Sequence, residues 1–334
     1  MSRTPPRRPV VIVTGASSGI GRATAILLSQ QGYRVVLAAR SAEGLHGAQD
    51  ECQPGTTTVV PTDVSDPAQV DALFAEVVRR HTRVDAVVHC AAVLAYGRFE
   101  DVPTEVFDAS LAVTLHGTAH VARATLRHFG THGGGRLVVV GSLLGKIATP
   151  YMSSYVTAKW AVHGLVRCLQ IEARETPGID ISLVSPGGVD TPVYLQAGTY
   201  VGRQGRPPPP ISSPEAVAKV IVRRLERPAR ETNVGVANGL TVVGFRFLPM
   251  LFDRIVTPLM KAGGLSRGAV PASPGNVLSP QPDGEETHGE WGPRPLVRAS
   301  VVAAAAALAV GAQALRRRSP TWPSRRPMIG RTTS

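Results

Sequence analysis

Near the middle of this 334-residue chain, three side chains stand where they could move a proton. Ser142 follows the run Leu137-Val138-Val139-Val140 and Gly141, which places its hydroxyl just past the carboxyl end of a buried strand. Tyr155 and Lys159 come next, spaced i, i+4 in a helical pattern that continues through Ala161, Leu165 and Leu169. On a helix that spacing puts both side chains on one face, about 5–6 Å apart at Cβ. A phenol with an ordinary pKa near ~10 is a poor acid or base at neutral pH. An ammonium held beside it favours the phenolate, lowers that pKa and makes proton transfer feasible. A hydroxyl facing the phenol could hold a carbonyl oxygen between them. A Tyr-x-x-x-Lys pair alone is usually a solvated helix face. The chain has only four lysines and six tyrosines, however, and a strand-end serine just upstream makes chance pairing a poor explanation.

A second set of residues lies near the amino end. Val10-Val11-Ile12-Val13 reads as a strand, Thr14-Gly15-Ala16-Ser17-Ser18-Gly19-Ile20-Gly21 as a glycine-rich turn, and Ala23, Ile26, Leu27 and Leu28 as the face of a helix. Strand, glycine turn and helix in that order let the backbone approach a pyrophosphate, which rests on the helix N-terminus. A purely structural turn is the competing reading.

TGASSGIG at 14–21, Ser142, and the Tyr155-Val156-Thr157-Ala158-Lys159 stretch together resemble the short-chain dehydrogenase/reductase family, in its compact single-domain branch, over about residues 9–195. The resemblance implies that Tyr155 is the general acid and base. It implies that Lys159 lowers the Tyr155 pKa and bonds the nicotinamide ribose, and that Ser142 orients the substrate oxygen. It also implies cofactor contacts from Gly15, Ser17, Ser18, Gly19, Ile20 and Gly21 in the turn, and from Asp63, Val64 and Ala91 beyond it. Ser185-Pro186-Gly187-Gly188-Val189-Asp190-Thr191-Pro192 matches the family's cofactor-closing turn, with Pro186, Gly187, Val189 and Thr191 at the nicotinamide end. In the family the helix of Thr114 and the helix of Tyr155 often form a subunit interface, so a homo-oligomer is implied.

Two departures from the family pattern matter. Its Asn-Asn-Ala-Gly stretch is replaced by His89-Cys90-Ala91-Ala92, which removes the amide that normally ties neighbouring strands. Its fourth catalytic residue, an asparagine, is replaced by Thr114, whose hydroxyl could hold a relay water with fewer hydrogen-bonding groups.

Charge argues for the cofactor. The second strand, Arg34-Val35-Val36-Leu37-Ala38, ends about twenty residues after the glycines, where an acid would bond the ribose of NAD. Ala39 and Arg40 stand there instead, and Arg22 directly follows Gly21. Two guanidinium groups suit a 2′-phosphate, so NADP is expected over NAD.

The elements that must position these groups alternate strand and helix from Val10 to about Val184, with strands near 10–13, 34–38, 57–60, 84–88, 137–140 and 179–184. That alternation predicts an α/β fold: a doubly wound, Rossmann-like parallel sheet, single-domain, with a C-terminal extension. A long helix is expected over about 104–129. The organisation reads as a basic arm (1–8), a catalytic domain (9–236), an apolar amphipathic extension (237–262), a Gly- and Pro-rich linker (263–294) and an Ala-rich helix with a basic tail (295–334). Residues 195–213 correspond to the family's substrate lid, with a disordered surface loop as the alternative. Leu94, Tyr96, Leu143, Leu144, Ile147, Tyr151 and Tyr194 predict an apolar substrate pocket whose only cations are Arg98 and Lys146.

Formal net charge is +12, but Arg3, Arg7 and Arg8 and the eight arginines of 291–334 carry most of it, leaving the body nearly neutral. Nothing pairs basic residues with stacking aromatics, so nucleic acid is not expected. Cys52, Cys90 and Cys168 are isolated, without metal-ligand spacing, and fit a reduced, cytoplasmic setting. His116 and His120 lack the carboxylate of a metalloprotease helix, so no metal is expected. The amino end lacks the apolar core of a signal peptide. Ala299 to Leu315 gives 17 uncharged residues, at the short limit of ~17–25 for a membrane span, so membrane contact through this tail stays open. The leading expectation is an NADP(H)-dependent oxidoreductase interconverting a hydroxyl and a carbonyl on a hydrophobic small molecule. The alternatives are a non-catalytic nucleotide-binding or scaffolding relative and a membrane-associated, lipid-modifying reductase.

Overall fold

Seven parallel strands form the centre of the computed structural model, which describes residues 8–292. They are β1 (Val10–Thr14), β2 (Arg34–Ala39), β3 (Thr57–Pro61), β4 (Ala86–His89), β5 (Gly135–Val140), β6 (Ile179–Pro186) and β7 (Glu231–Val234). Their spatial order is β7-β6-β5-β4-β1-β2-β3. The winding reverses between β1 and β4, and that switch point opens a crevice at the carboxyl ends of the strands. The six strands read from the sequence are all present, and β7 adds an edge the alternation did not reveal.

Period-two alternation in the strands feeds two cores. Val11, Val13, Val35, Leu37 and Val138 pack on one face, against Leu28 of α1 (Gly19–Gln30), Leu45 of α2 (Ala42–Asp50) and, later in the chain, Ile221 and Leu225 of the helix at Pro214–Glu226. Ile12, Val36, Val87 and Leu137 pack on the other. There they meet α3 (Pro67–His81), α4 (Thr104–Leu111), α5 (Gly117–Thr131) and α6 (Ser153–Glu172). The helix at Pro214–Glu226, α7, starts with Ser213 accepting from the Ala216 N–H at 3.3 Å and proline in its first turn.

The helix expected over 104–129 is broken into α4 and α5 by a π-helical turn at Ala112–His116, which carries Thr114. A π-turn widens the helix by one residue and redirects a side chain. Here it aims the Thr114 hydroxyl at the backbone of Val93.

Residues 195–292 are more ordered than a lid, an extension and a linker. Between 195 and 213, Gly198–Thr199 pairs with Ala95–Tyr96, Arg203–Gly205 with Leu265–Ala269, and Ile211–Ser212 with Gly188–Val189. Helices α8 (Asn238–Phe247) and α9 (Pro249–Leu259) follow, and leave Val243, Phe247, Leu248, Met250 and Leu259 exposed. Residues 263–292 do not form a loose linker. Leu265 and Val277 are buried, and burying an aliphatic side chain of this size contributes about 1.5–3 kcal/mol, enough to fix a Gly- and Pro-rich stretch at those points. No helix among the described residues is long and apolar enough to cross a membrane. The 1–7 part of the basic arm, Ala299–Leu315 and the basic tail lie outside the described residues.

The missing asparagine amide after β4 has a substitute. The buried His89 ring meets Thr14 Oγ1 of β1 at 2.8 Å through Nδ1, and Thr118 Oγ1 of α5 at 3.0 Å through Nε2. It thereby ties the central strand to the neighbouring helix. Burial, with the Lys159 charge adding to it, lowers the His89 pKa from 6.5 to about 3. The unfolded chain therefore takes up this proton first as the pH falls, and stability is lost from about pH 6.5 downward. Asparagine offers a donor and an acceptor without titrating, so His89→Asn should make the pH 4–6.5 decline shallower by about 1.4 kcal/mol per pH unit in urea unfolding. Equal slopes in variant and parent would refute the tie as a titrating element.

Candidate active site

Loops leaving the carboxyl ends of six of the seven strands meet in one pocket. The β1 turn brings Gly15, Ser17, Ser18, Gly19, Ile20 and Gly21 to it; β2 brings Arg40 and Ser41; β3 brings Asp63 and Val64; β4 brings Ala91. The loop after β5 contributes Ser142 and Leu144, and α6 contributes Tyr155 and Lys159. The segment ending β6 contributes Pro186, Gly187, Val189, Thr191 and Tyr194.

Two glycines set the turn. Gly15 has φ +67°, and a Cβ there would lie 2.8 Å from the Ala91 backbone nitrogen. A Cβ on Gly21 would lie 2.0 Å from the Gly15 carbonyl oxygen. The turn thus closes to backbone-on-backbone distance, and the N-terminus of α1 faces the pocket with Ser18 making no side-chain cap. This is a cradle that suits a pyrophosphate. Thr191 leans over it, with its Cβ 3.1 Å from where a Cβ on Gly19 would sit.

At the other end of the pocket, Ser142 lies two residues past β5 and accepts a hydrogen bond from the Leu144 N–H at 3.1 Å. Its hydroxyl also bonds Tyr155. Lys159 is buried, and its Nζ donates to the Val140 carbonyl at the end of β5 at 2.9 Å. The same Nζ lies 5.6 Å from the centroid of the Tyr155 ring. The helix spacing thus brings serine, phenol and ammonium together.

The expected pKa of Tyr155 is corrected in direction. Burial pushes it up to about 12, against the opposing Ser142 hydrogen bond. The Lys159 ammonium lies over the ring and does not offset the desolvation of a phenolate. Burial likewise lowers Lys159 to about 8, so it carries its charge at neutral pH. Tyr155 therefore rests as a phenol, ready to donate.

Two residues are placed differently from expectation. The Thr114 hydroxyl accepts from the Val93 N–H and donates to the Val93 carbonyl, both at 3.2 Å, and is fully buried outside the pocket wall. It fixes the loop after β4, and the relay role that the resemblance implied has no free hydroxyl to use. The Arg22 guanidinium is also buried, pairing with Glu51 at 2.7 Å and donating to the Ser17 carbonyl at 3.3 Å. It braces the glycine turn from behind and lines a neighbouring groove. Arg40 does reach the pocket. Asp63 Oδ1 accepts from the Ser65 N–H at 2.9 Å and its hydroxyl at 2.7 Å, which orients the carboxylate.

In the apolar half, Leu94, Tyr96, Leu143, Leu144 and Tyr194 line the pocket as expected, whereas Ile147 and Tyr151 do not. Lys146 pairs with Glu231 at 2.5 Å and Arg98 with Glu100 at 2.6 Å, so both cations are engaged elsewhere.

Sequence reasoning missed His163. Its Nε2 accepts the Ser142 backbone N–H at 3.3 Å, and a Cβ on Gly141 or Gly145 would sit 2.5 or 2.4 Å from its ring. Burial lowers its pKa to about 4, keeping it a neutral acceptor that holds the serine loop. The i, i+4, i+8 spacing from Tyr155 through Lys159 was the signal for it. The residues from Asn276 to Glu285 at the pocket rim were missed too, because nothing in their sequence marks their destination.

A doubly wound sheet with a glycine turn at its switch point defines a Rossmann-like nucleotide-binding protein. The sequence model of the short chain dehydrogenases matches residues 9–199. An uncharacterized oxidoreductase, YxnA, of Bacillus subtilis (strain 168) is 34% identical over 257 residues, 75% of this chain and 72% of the relative. The structure is similar to an alcohol dehydrogenase from the archaeon Thermococcus sibiricus complexed with 5-hydroxy-NADP, with TM-score 0.60, 29% identity, and 68% of this chain and 96% of that one covered. It is also similar to a short-chain dehydrogenase from Streptomyces avermitilis, with TM-score 0.64, 25% identity, and 75% and 98% covered. This chain belongs to the short-chain dehydrogenase family and is an oxidoreductase.

The closed turn gives a test that needs no substrate. Gly21→Ala forces a methyl group onto the Gly15 carbonyl and should lower stability by about 1–3 kcal/mol or more in urea unfolding, the cost of overpacking. Parent-like stability would mean the turn is not held this tightly.

Proposed function

We propose that this chain interconverts a hydroxyl and a carbonyl group on a hydrophobic small molecule with NADP(H), using Tyr155 as general acid and base. The observation that carries this reading is the convergence of Ser142, Tyr155 and Lys159 on one wall of a pocket whose far end is the glycine turn. When bound, the nicotinamide supplies or takes up the hydride. Ser142 donates a hydrogen bond that orients the substrate oxygen beside the phenol. Tyr155, resting protonated, gives its proton to that oxygen as negative charge develops on it, and takes a proton back in the reverse direction. The buried Lys159 ammonium stabilises the phenolate so formed, at a distance where low polarity strengthens the attraction. His163 and Thr114 hold the loops that bear on these groups.

The residues present fit a dinucleotide. Main-chain donors at the start of α1 suit a pyrophosphate, and Ser17, Arg40 and Ser41 suit an adenosine ribose bearing a 2′-phosphate. The complex of the Thermococcus sibiricus relative with 5-hydroxy-NADP supports the same choice. Leu94, Met152, Val193, Tyr194 and Met260 give the substrate end an apolar lining, which supports a hydrophobic carbonyl or alcohol.

Tyr155→Phe should lower turnover of a ketone and aldehyde panel by about 100-fold or more, the usual contribution of a general acid, while NADPH affinity stays near the parent value. Undiminished turnover would remove Tyr155 from the mechanism. Arg40→Asp should shift the NADP/NAD affinity ratio toward NAD by about tenfold or more, by placing like charge against a phosphate. An unaltered ratio would refute the charge argument.

A further inference from the structure

The chain reaches back from its carboxyl-terminal side to the glycine turn, and the contacts there are specific. The Gly19 N–H, at the first position of α1, donates to the Glu286 carbonyl at 2.8 Å. Ser17 Oγ donates to Glu285 Oε1 at 3.0 Å. Arg22 donates to the Glu285 carbonyl oxygen. Arg40 donates to the Asn276 and Val277 carbonyls. The carboxylate of Glu285 packs on the backbone of Gly44 and lies among Ser17, Ser41, Arg22 and Arg40. Its Oε2 is buried without a hydrogen-bond partner among the described residues.

Arg22 apart, these are donors that the proposed function assigns to the cofactor. One glutamate carboxylate sits where the second strand ends, the position that reads the adenosine ribose in this fold. The next residue's carbonyl takes a helix-terminal N–H that would otherwise face a pyrophosphate. We propose that Glu285 and Glu286 are a built-in occupant of the two phosphate positions, that dinucleotide binding displaces residues 276–290, and that Glu285 sets selectivity by competing with the 2′-phosphate. This rests on the NADP(H) reading above and adds the residue that tunes it.

The competition follows from chemistry. A carboxylate with one oxygen hydrogen-bonded is a partial match to a site bearing the Ser17 and Ser41 hydroxyls and the Arg40 guanidinium. A phosphate monoester brings three acceptor oxygens and close to two charges, and satisfies the same donors more completely. Both anions cannot occupy the site together, because like charges in contact repel. An unphosphorylated ribose brings no anion and leaves the Glu285 contacts unreplaced.

The rest of the segment is anchored so that it can be displaced as a unit. The Asn276 N–H donates to the Gln196 carbonyl at 2.8 Å, Gln196 Nε2 to the Gln281 carbonyl at 3.0 Å, and the Trp291 N–H to Asp190 Oδ1 at 3.0 Å. The Trp291 ring meets Tyr194 edge-on, with centroids 5.6 Å apart. Apart from Val277 and the exposed pairing of His288 with Glu215 of α7 at 2.7 Å, these anchors are hydrogen bonds and one ring contact, the class of contact that opens locally at low cost.

The test uses the full chain and two fragments, 2′,5′-ADP and 5′-AMP, in calorimetric titrations of the parent, Glu285→Gln and Glu285→Ala. Both variants should tighten 2′,5′-ADP about tenfold more than they tighten 5′-AMP, since only the former meets the removed charge. Hydrogen exchange supplies the second readout, and saturating NADPH should speed exchange of the amides in 276–290 by about tenfold or more. Unchanged 2′,5′-ADP affinity in both variants overturns the competition. Weakened NADH or 5′-AMP binding in both overturns it too, by making Glu285 a ribose ligand. NADPH-induced protection of 276–290 overturns the displacement. Any of these with NADPH still bound by the parent sinks this inference alone, whereas a parent chain that binds no NADPH sinks the functional reading with it.

Discussion

Burying a positive charge inside an apolar sheet is the constraint that organises this molecule. An amine taken out of water is costly unless something polar receives it. Lys159 meets that requirement with the Val140 carbonyl, at the point where β5 gives way to the serine loop. That bond fixes α6 against the strand end, and everything else on that face of the helix inherits its position. Tyr155 lies one turn toward the amino end and His163 one turn toward the carboxyl end. The same charge reaches outward: it adds to the burial that keeps both His89 and His163 neutral. Neutral rings can accept and relay hydrogen bonds where imidazolium would repel the amine. The result is a buried ammonium surrounded by acceptors that tolerate it.

Much of this was legible in the residues because the relevant spacings are local. A β-branched run ending in Gly-Ser, an i, i+4 pair and a glycine turn between strand and helix each specify their own geometry, and the parallel sheet follows from their alternation. What could not be read depended on contacts between distant segments. Sequence position leaves the Thr114 hydroxyl open to a water, and the π-turn aims it at Val93. Sequence position sets Arg22 beside the phosphate turn, and Glu51, from the end of another helix, claims its guanidinium. The pKa of Tyr155 was argued from one neighbour, while burial by the whole pocket wall decides its direction. His89 seemed a loss relative to asparagine because only the folded chain brings Thr14 and Thr118 to its two nitrogens.

The carboxyl-terminal third shows the limit of composition as a guide. A stretch rich in glycine, proline and serine has the look of a tether, yet here it lies along the 190–199 segment through bonds from Asp190 to Trp291 and from Gln196 to both Asn276 and Gln281. Backbone groups supply most of these links, and backbone groups leave no signature in residue type. Leu265 and Val277, both buried, are the apolar residues in that stretch that hint at a fixed course.

The family match covers residues 9–199, and the segment lying against the glycine turn falls well beyond it. The rim segment carrying Glu285 and Glu286 is therefore encoded in a stretch separate from Ser142, Tyr155 and Lys159. Mutation in one can proceed without passing through the other. A lineage could retune what the crevice admits by drift in that appendage and leave the serine, the phenol and the amine untouched.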